Sequence, residues 1–303
     1  MHEGDLMASQ FLRDHFGNRV RGCAPLAAGE WSRAYALELD GRDAVVRFGA
    51  FREDFEKDRV MGRYGSADLP IPAVLEVGEA PFGFYAVSER VRGQSIEALD
   101  EPAMRDVIPE LLAALDALKA LDISTTRGDG YWDASRVGLH PTWADALSSV
   151  ADPGGRIAGW RENLDRTPAY ARLFDRGVEK LRQLAPQLRH PRAIVHGDLL
   201  GNVLVDAGRV SGVIDWGNAL YGDPLYDVAW LFYWWPWYQA WQDIDLPEIV
   251  HRHWQARGGP PAMAEERLRC CLIHIGLSHV AYCAFKGRSK DLRRHAEQVA
   301  AYL

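Results

Sequence analysis

The sequence predicts an α+β protein with two lobes, small and β-rich at the N-terminus, larger and mostly helical beyond it. Three observations predict it. Short apolar runs parted by turn residues continue as far as Glu89, whereas helical spacing dominates from Glu101 onward. The length, 303 residues, exceeds the usual size of one domain. The boundary falls between Glu89 and Gly93, giving lobes of residues 1–90 and 91–303.

Taken in order, Leu6–Phe16 carries apolar residues at helical spacing. Arg33–Leu39 and Ala44–Phe48 are strand-like, and Asp40-Gly41 between them signals a type I′ hairpin. Arg52–Tyr64 is charged and helical in pattern. Leu69-Pro70-Ile71-Pro72 is extended, because a proline disfavours the helical region for the residue before it. Val74–Val77 and Phe84–Glu89 read as two further strands, and Pro102–Leu121 opens the helical part. One exception is expected within that part. Val203–Val205 and Val210–Ile214 are apolar and β-branched, and Asp206-Ala207-Gly208-Arg209 between them is turn material, so they predict a second hairpin.

Composition argues against several classes of function. A net charge of −7 and the lack of a Lys/Arg run disfavour a nucleic-acid partner. Cys23, Cys270, Cys271 and Cys283 contain no Cys-x-x-Cys pair, so neither a zinc site nor a disulfide framework is signalled. The acidic N-terminal residues lead into no apolar signal segment, and no uninterrupted apolar stretch is long enough to span a bilayer. The expectation is a cytoplasmic, monomeric protein with neither a nucleic-acid nor a membrane partner.

The second hairpin has a chemical consequence. Asn202 precedes its first strand and Asp215 ends its second, so the turn brings both to one open end. An amide oxygen and a carboxylate meeting there suit Mg²⁺. Ahead of them, His196-Gly197-Asp198 follows the apolar Ile194-Val195 and supplies another carboxylate. Phosphoryl transfer needs a base or orienter for the attacking hydroxyl, ligands for the Mg²⁺ on the nucleotide phosphates, and a cation. Asp198 suits the first role, Asn202 and Asp215 the second. Any one of them could be a turn or cap residue at a strand end; tied together by one hairpin, they point to chemistry.

Val195-His196-Gly197-Asp198, Asn202-Val203-Leu204 and Val213-Ile214-Asp215-Trp216 resemble the aminoglycoside phosphotransferase family, whose fold is similar to that of protein kinases. Gly29-Glu30-Trp31-Ser32-Arg33-Ala34, Lys57-Asp58-Arg59, Leu69-Pro70-Ile71-Pro72, Gly222-Asp223 and Trp235-Pro236-Trp237 are similar to its hygromycin B phosphotransferase subgroup, of the 4-O-kinase type. The resemblance runs from Leu26 to the C-terminal helices. It implies a protein-kinase-like two-lobed fold and transfer of the γ-phosphate of ATP or GTP, with Mg²⁺, to a hydroxyl of hygromycin B or a related cationic aminocyclitol. That activity confers antibiotic resistance.

Carried over to this sequence, the resemblance implies that Asp198 orients or deprotonates the acceptor hydroxyl, that His196 braces the loop, and that Asn202 and Asp215 hold the metal. Arg47 stands where the usual lysine would be, with Asp58 as its expected partner and Glu56 the next candidate; Lys57 between them reads as a solvated charge. Gly29 and Ser32, within Ala28–Ser32, would form the phosphate loop, and the backbone of Glu89 and Val91 would meet the adenine edge. Aromatic and acidic residues after Asp215 supply an acceptor side, with Asp223 and Trp237 foremost and Asn218 and Asp227 behind them. His274 and His279 read as structural histidines. The sequence departs from the family at one point: Asn202 lies four residues after Asp198 where the family has five, so Leu199-Leu200-Gly201 is a residue short. A kinase of choline, a macrolide, a sugar or an amino alcohol would share these donor residues, and a nucleotide-binding protein without turnover would share the fold.

Overall fold

In the computed structural model of the protein, residues 3–26, 29–133, 135–152 and 155–303 are described. They group into two units, Met1–Ile96 with Asn202–Asn218, and Glu97–Gly201 with Ala219–Leu303. The first begins with helix α1 (Glu3–Phe16) and strands β1 (Val20–Pro25), β2 (Ser32–Leu39) and β3 (Arg42–Gly49). Between β2 and β3, Asp40 and Gly41 have φ of 51° and 78°, both left-handed as a type I′ turn requires. Helix α2 (Arg52–Met61), β4 (Val74–Ala80) and β5 (Gly83–Glu89) follow, completing an antiparallel sheet in the order β1-β2-β3-β5-β4.

Alternation along the strands decides what each face of this sheet carries. Leu37, Leu39, Val46 and Phe48 join Ala8, Leu12 and Phe16 of α1 in one buried cluster, each large apolar side chain contributing roughly 1.5–3 kcal/mol through burial. Arg47, between Val46 and Phe48, therefore belongs to the opposite face, over Phe55 of α2.

The second hairpin, Val203–Asp206 and Arg209–Val213, packs in the first unit. Its turn residues Ala207 and Gly208 have φ of 48° and 77°, the same left-handed pair as the first hairpin. Gln94–Ser95 pairs with its outer edge at Val205 and Leu204. Val213 N–H donates to the Pro70 carbonyl at 2.7 Å, so the extended Leu69–Pro72 segment ties down the other edge.

In the second unit Asp100 caps the helix Glu101–Lys119 by accepting from Ala103 N–H at 3.1 Å, with Pro102 in the first turn. Helices Pro168–Leu184, Leu225–Trp234, Leu246–Gln255, Ala264–Lys286 and Ser289–Ala300 follow. The expectation of a single β exception in this part is too narrow. Gly138–His140, Asp129–Trp132, Leu220–Gly222 and Ala193–Val195 form a four-stranded sheet in that order. These strands have three or four residues, and three of them contain glycine, so none is long enough to display a period of two. Against the expectation of no membrane-spanning stretch, the helix Ala264–Lys286 is long and apolar enough, by length and composition, to cross a membrane. Its apolar window is 61% buried, against Leu225–Trp234 and Ser289–Ala300 among others, as a core helix is.

Candidate active site

The β3 residue Arg47 and the face of α2 beneath it form an ionic cluster inside the first unit. One guanidinium nitrogen, Nη2, pairs with Asp58, and Nη1 lies 3.1 Å from Oδ1 of Asp215. Asp58 is buried, and its Oδ1 accepts from Trp216 N–H at 2.8 Å. Glu56, the other candidate partner, instead pairs with Arg52 and Arg59. Lys57 corrects the sequence reading: it is only 4% exposed, not solvated, and its Nζ donates to the Gly217 carbonyl at 3.0 Å. A buried charge is retained where a partner and further hydrogen bonds satisfy it, as Arg47 and Trp216 N–H do for Asp58.

Asp215 has φ of 60°, a left-handed conformation that Asp tolerates better than most residues. Next to it the buried Trp216 donates from Nε1 to the Val213 carbonyl at 3.1 Å. Asn202 sits at the same end of the hairpin: Val203 pairs with Val213, and Ile214 N–H donates to the Asn202 carbonyl at 2.9 Å. The short loop before it is anchored by its own side chains, since Leu199 and Leu200 are 2% and 1% exposed.

The donor set can be tested against Mg²⁺. Among the described residues no three His, Cys, Asp or Glu side chains come together as a cage. One carboxylate and one amide are instead what Mg²⁺ uses when substrate phosphates complete its coordination. The residues present fit a phosphate-borne ion and not a dedicated protein site.

Of the other expected nucleotide contacts, Ser32 opens β2 opposite Gly49, and Gly29 lies in the exposed segment before it; Ala28 lies outside the described residues. Glu89 ends β5, with its Oε2 accepting from Ala73 N–H at 3.3 Å. Val91 packs on Gly212, where an added Cβ would come within 2.7 Å of it.

In the second unit the strand Ala193–Val195 leads into His196, which is fully buried, and then Gly197, whose φ of 75° turns the chain toward Asp198. This loop is held from below by Asp227, in the first turn of Leu225–Trp234. Its Oδ2 accepts from His196 N–H at 2.7 Å and its Oδ1 from Gly197 N–H at 2.9 Å. Burial pushes the Asp227 carboxyl up to about 6, against the pull of those two donors. Asp198 N–H donates to Nδ1 of His196 at 3.3 Å, which requires the imidazole lone pair on that nitrogen.

Residues 22–268 match the family model described as the phosphotransferase enzyme family. The chain belongs to that family. It is 33% identical over 285 residues to the hygromycin-B 4-O-kinase of Escherichia coli, covering 93% of this chain and 80% of that protein. A thermostable mutant of aminoglycoside phosphotransferase APH(4)-Ia, solved with AMP-PNP and hygromycin B, superposes with a TM-score of 0.83 at 33% identity, over 97% of this chain and 96% of that one. The GDP complex of aminoglycoside 2′-phosphotransferase-IIIa, at 14% identity and a TM-score of 0.70 over 99% and 98% of the two chains, shares the fold alone. The architecture is thus the α+β, protein-kinase-like one that the sequence motifs implied.

Of the residues expected on the acceptor side, Asp223 and Asp227 are buried and bonded within the protein, and Trp237 makes several contacts of its own. Asp223 is 2% exposed, and both its oxygens are taken by Arg267, at 2.8 and 2.6 Å, and by Leu225 N–H. Asp227 is spent on the loop backbone. Trp237 stacks on His295 at 4.5 Å, carries the Arg294 guanidinium 3.7 Å from its ring centroid, and donates from Nε1 to Gln298. Trp237 is only partly buried. Asn218 is half-buried, in the turn Trp216–Asn218 of the first unit. His274 and His279 are structural, bonded to Tyr226 Oη and the Ile275 carbonyl, and burial lowers both to about 4. Glu97 was not among the expected site residues. It accepts from the Tyr238 hydroxyl, and its carboxyl group lies 3.8–3.9 Å from where a Cβ on Gly201 would be. Glu97 stands alone in the sequence with no motif around it; only the fold brings it to the loop.

Proposed function

We propose that the protein transfers the γ-phosphate of ATP or GTP to a hydroxyl of hygromycin B or a related cationic aminocyclitol, and so confers resistance to it. In this reading residues 1–90 bind the nucleotide and residues 91–303 carry the catalytic loop and the acceptor. Asp198 takes the proton of the acceptor hydroxyl as its oxygen bonds to the γ-phosphorus, while the bond from that phosphorus to the bridging oxygen breaks and the nucleoside diphosphate departs. Arg47 neutralises phosphate oxygens from the end of its ion pair with Asp58. Asn202 and Asp215 would hold Mg²⁺, which supplies charge neutralisation on the phosphates. Gly29 and Ser32 line the phosphates, Glu89 and Val91 offer backbone to the base, His196 braces the loop, and Asn218 is left as an acceptor contact. A monomer working in the cytoplasm, where nucleoside triphosphates are abundant, completes the reading.

The observation that supports it most is the Arg47 bridge, which joins Asp58 to Asp215 at the hairpin end where Asn202 also lies. The register of that hairpin also argues that the short loop leaves Asn202 beside residue 214, against a protein without turnover. A coupled assay of nucleoside diphosphate release tests the acceptor, with hygromycin B, other aminoglycosides, choline and simple sugars as candidates. Turnover with hygromycin B is expected. Rapid turnover of choline or a sugar, with none on hygromycin B, would overturn the choice of acceptor.

A further inference from the structure

The buried Lys57 has no role in the donor and acceptor chemistry described above. On α2, Asp54, Lys57 and Asp58 are spaced i, i+3 and i+4 and so share one helix face. All three meet the segment that follows Asp215. Asp58 accepts from Trp216 N–H at 2.8 Å, and Lys57 donates to the Gly217 carbonyl at 3.0 Å. Asp54 closes over Gly217, where a Cβ would fall 2.9 Å from its carboxyl carbon. Adjacent helix residues thus grip one N–H and one C=O of residues 216–217, on either side of the 216–217 peptide plane. The grip begins at the peptide bond that leaves Asp215, whose φ is 60°. A lone carbonyl could be satisfied by a neutral donor or by water. Enclosing an ammonium there, at 4% exposure, is the costlier solution.

We infer that Lys57 is a positioning residue for the Asp215 carboxylate, holding the 215–217 backbone so that this carboxylate is presented to the metal carried by the nucleotide. The inference rests on the reading of Asp215 as a metal ligand. Arg47 contacts the Asp215 side chain, Asp58 holds the peptide after it, and Lys57 fixes the next turn of backbone; without Lys57 the carboxylate keeps its charge and loses its direction. Groups that orient a metal ligand without touching the metal are commonly worth 10–100-fold in metal affinity.

The test compares ADP binding to the wild type and to Lys57→Met by titration calorimetry, once with EDTA and once with saturating Mg²⁺. The expected result is an unchanged affinity in EDTA and a loss of about tenfold in the tightening that Mg²⁺ confers. Far-UV circular dichroism checks folding; if Lys57→Met does not fold, Lys57→Gln, which keeps a neutral donor, carries the same comparison. An equal loss with and without metal, or no loss in either, overturns the role of Lys57. A wild type whose ADP affinity does not respond to Mg²⁺ overturns the reading of Asp215 and this inference with it.

Discussion

Around Arg47 the first unit is held by charges: a guanidinium on β3 spans two carboxylates, and a buried ammonium and carboxylate on α2 grip the backbone beyond Asp215. Around Asp198 the second unit is held by peptide groups, two successive N–H donors converging on the single buried carboxylate of Asp227. The difference suits the work proposed for each. A site for triphosphate and metal ion has its own formal charges balanced in advance, so arriving charges exchange partners without uncovering an unpaired one. A loop that carries a proton acceptor needs a fixed direction, which a buried carboxylate accepting from two successive N–H groups provides.

The comparison breaks most visibly at Asp198. Asp198→Asn is expected to lower kcat by 10²–10⁴-fold, the usual worth of a general base, while leaving nucleotide affinity unchanged. Steady-state kinetics beside ADP titration measures both, and undiminished turnover would remove Asp198 from the chemistry. In the first unit Asp58→Ala leaves Arg47 with only Asp215 and orphans Trp216 N–H. It should cost about 3 kcal/mol of stability in denaturant titration, the low end for breaking a buried ion pair; a loss under 1 kcal/mol would show that the cluster does not hold the unit together.

The smallest and most discriminating effect is in pH. The Asp227 carboxyl is raised to about 6 from an ordinary value of 3.8, so the folded state binds its proton more tightly than the unfolded chain does. Through this group stability rises as pH falls from about 6 toward 4, and is lost as pH climbs back through 6. Turnover should move the other way, because protonation removes an acceptor from the His196 or Gly197 N–H. Activity falling through pH 6 while the unfolding midpoint holds or rises is the expected signature, and Asp227→Asn should abolish that limb. Parallel loss of activity and stability over the same window would contradict it.

The local geometry of the proposed donor side was legible in the sequence. Asp40-Gly41 and Ala207-Gly208 announced two hairpins, and both adopt the left-handed pair of angles that such turns need. The second hairpin was enough to bring Asn202 and Asp215 to one end, since register follows from the turn. Asp58 was the partner that the family resemblance implied for Arg47, and the two do pair; strand alternation and helix spacing alone left Glu56 open as well. The acceptor side was far less legible. Asp223, Asp227 and Trp237 look like exposed recognition groups in the chain, yet Asp223 and Asp227 are buried against Arg267 and the His196-Gly197 backbone, and Trp237 packs on His295 and Arg294, all at least 30 positions away.

Sequence by itself therefore determined the two hairpins, their turns and the residues proposed for the donor side, because those depend on backbone angles and on neighbours a few positions off. Only the tertiary structure decided which charges are buried. Lys57 and Asp58 are adjacent on α2, and whether either meets solvent or protein depends on the 216–217 backbone, some 160 residues later in the chain. Burial is set by what packs over a side chain, and no local pattern encodes that.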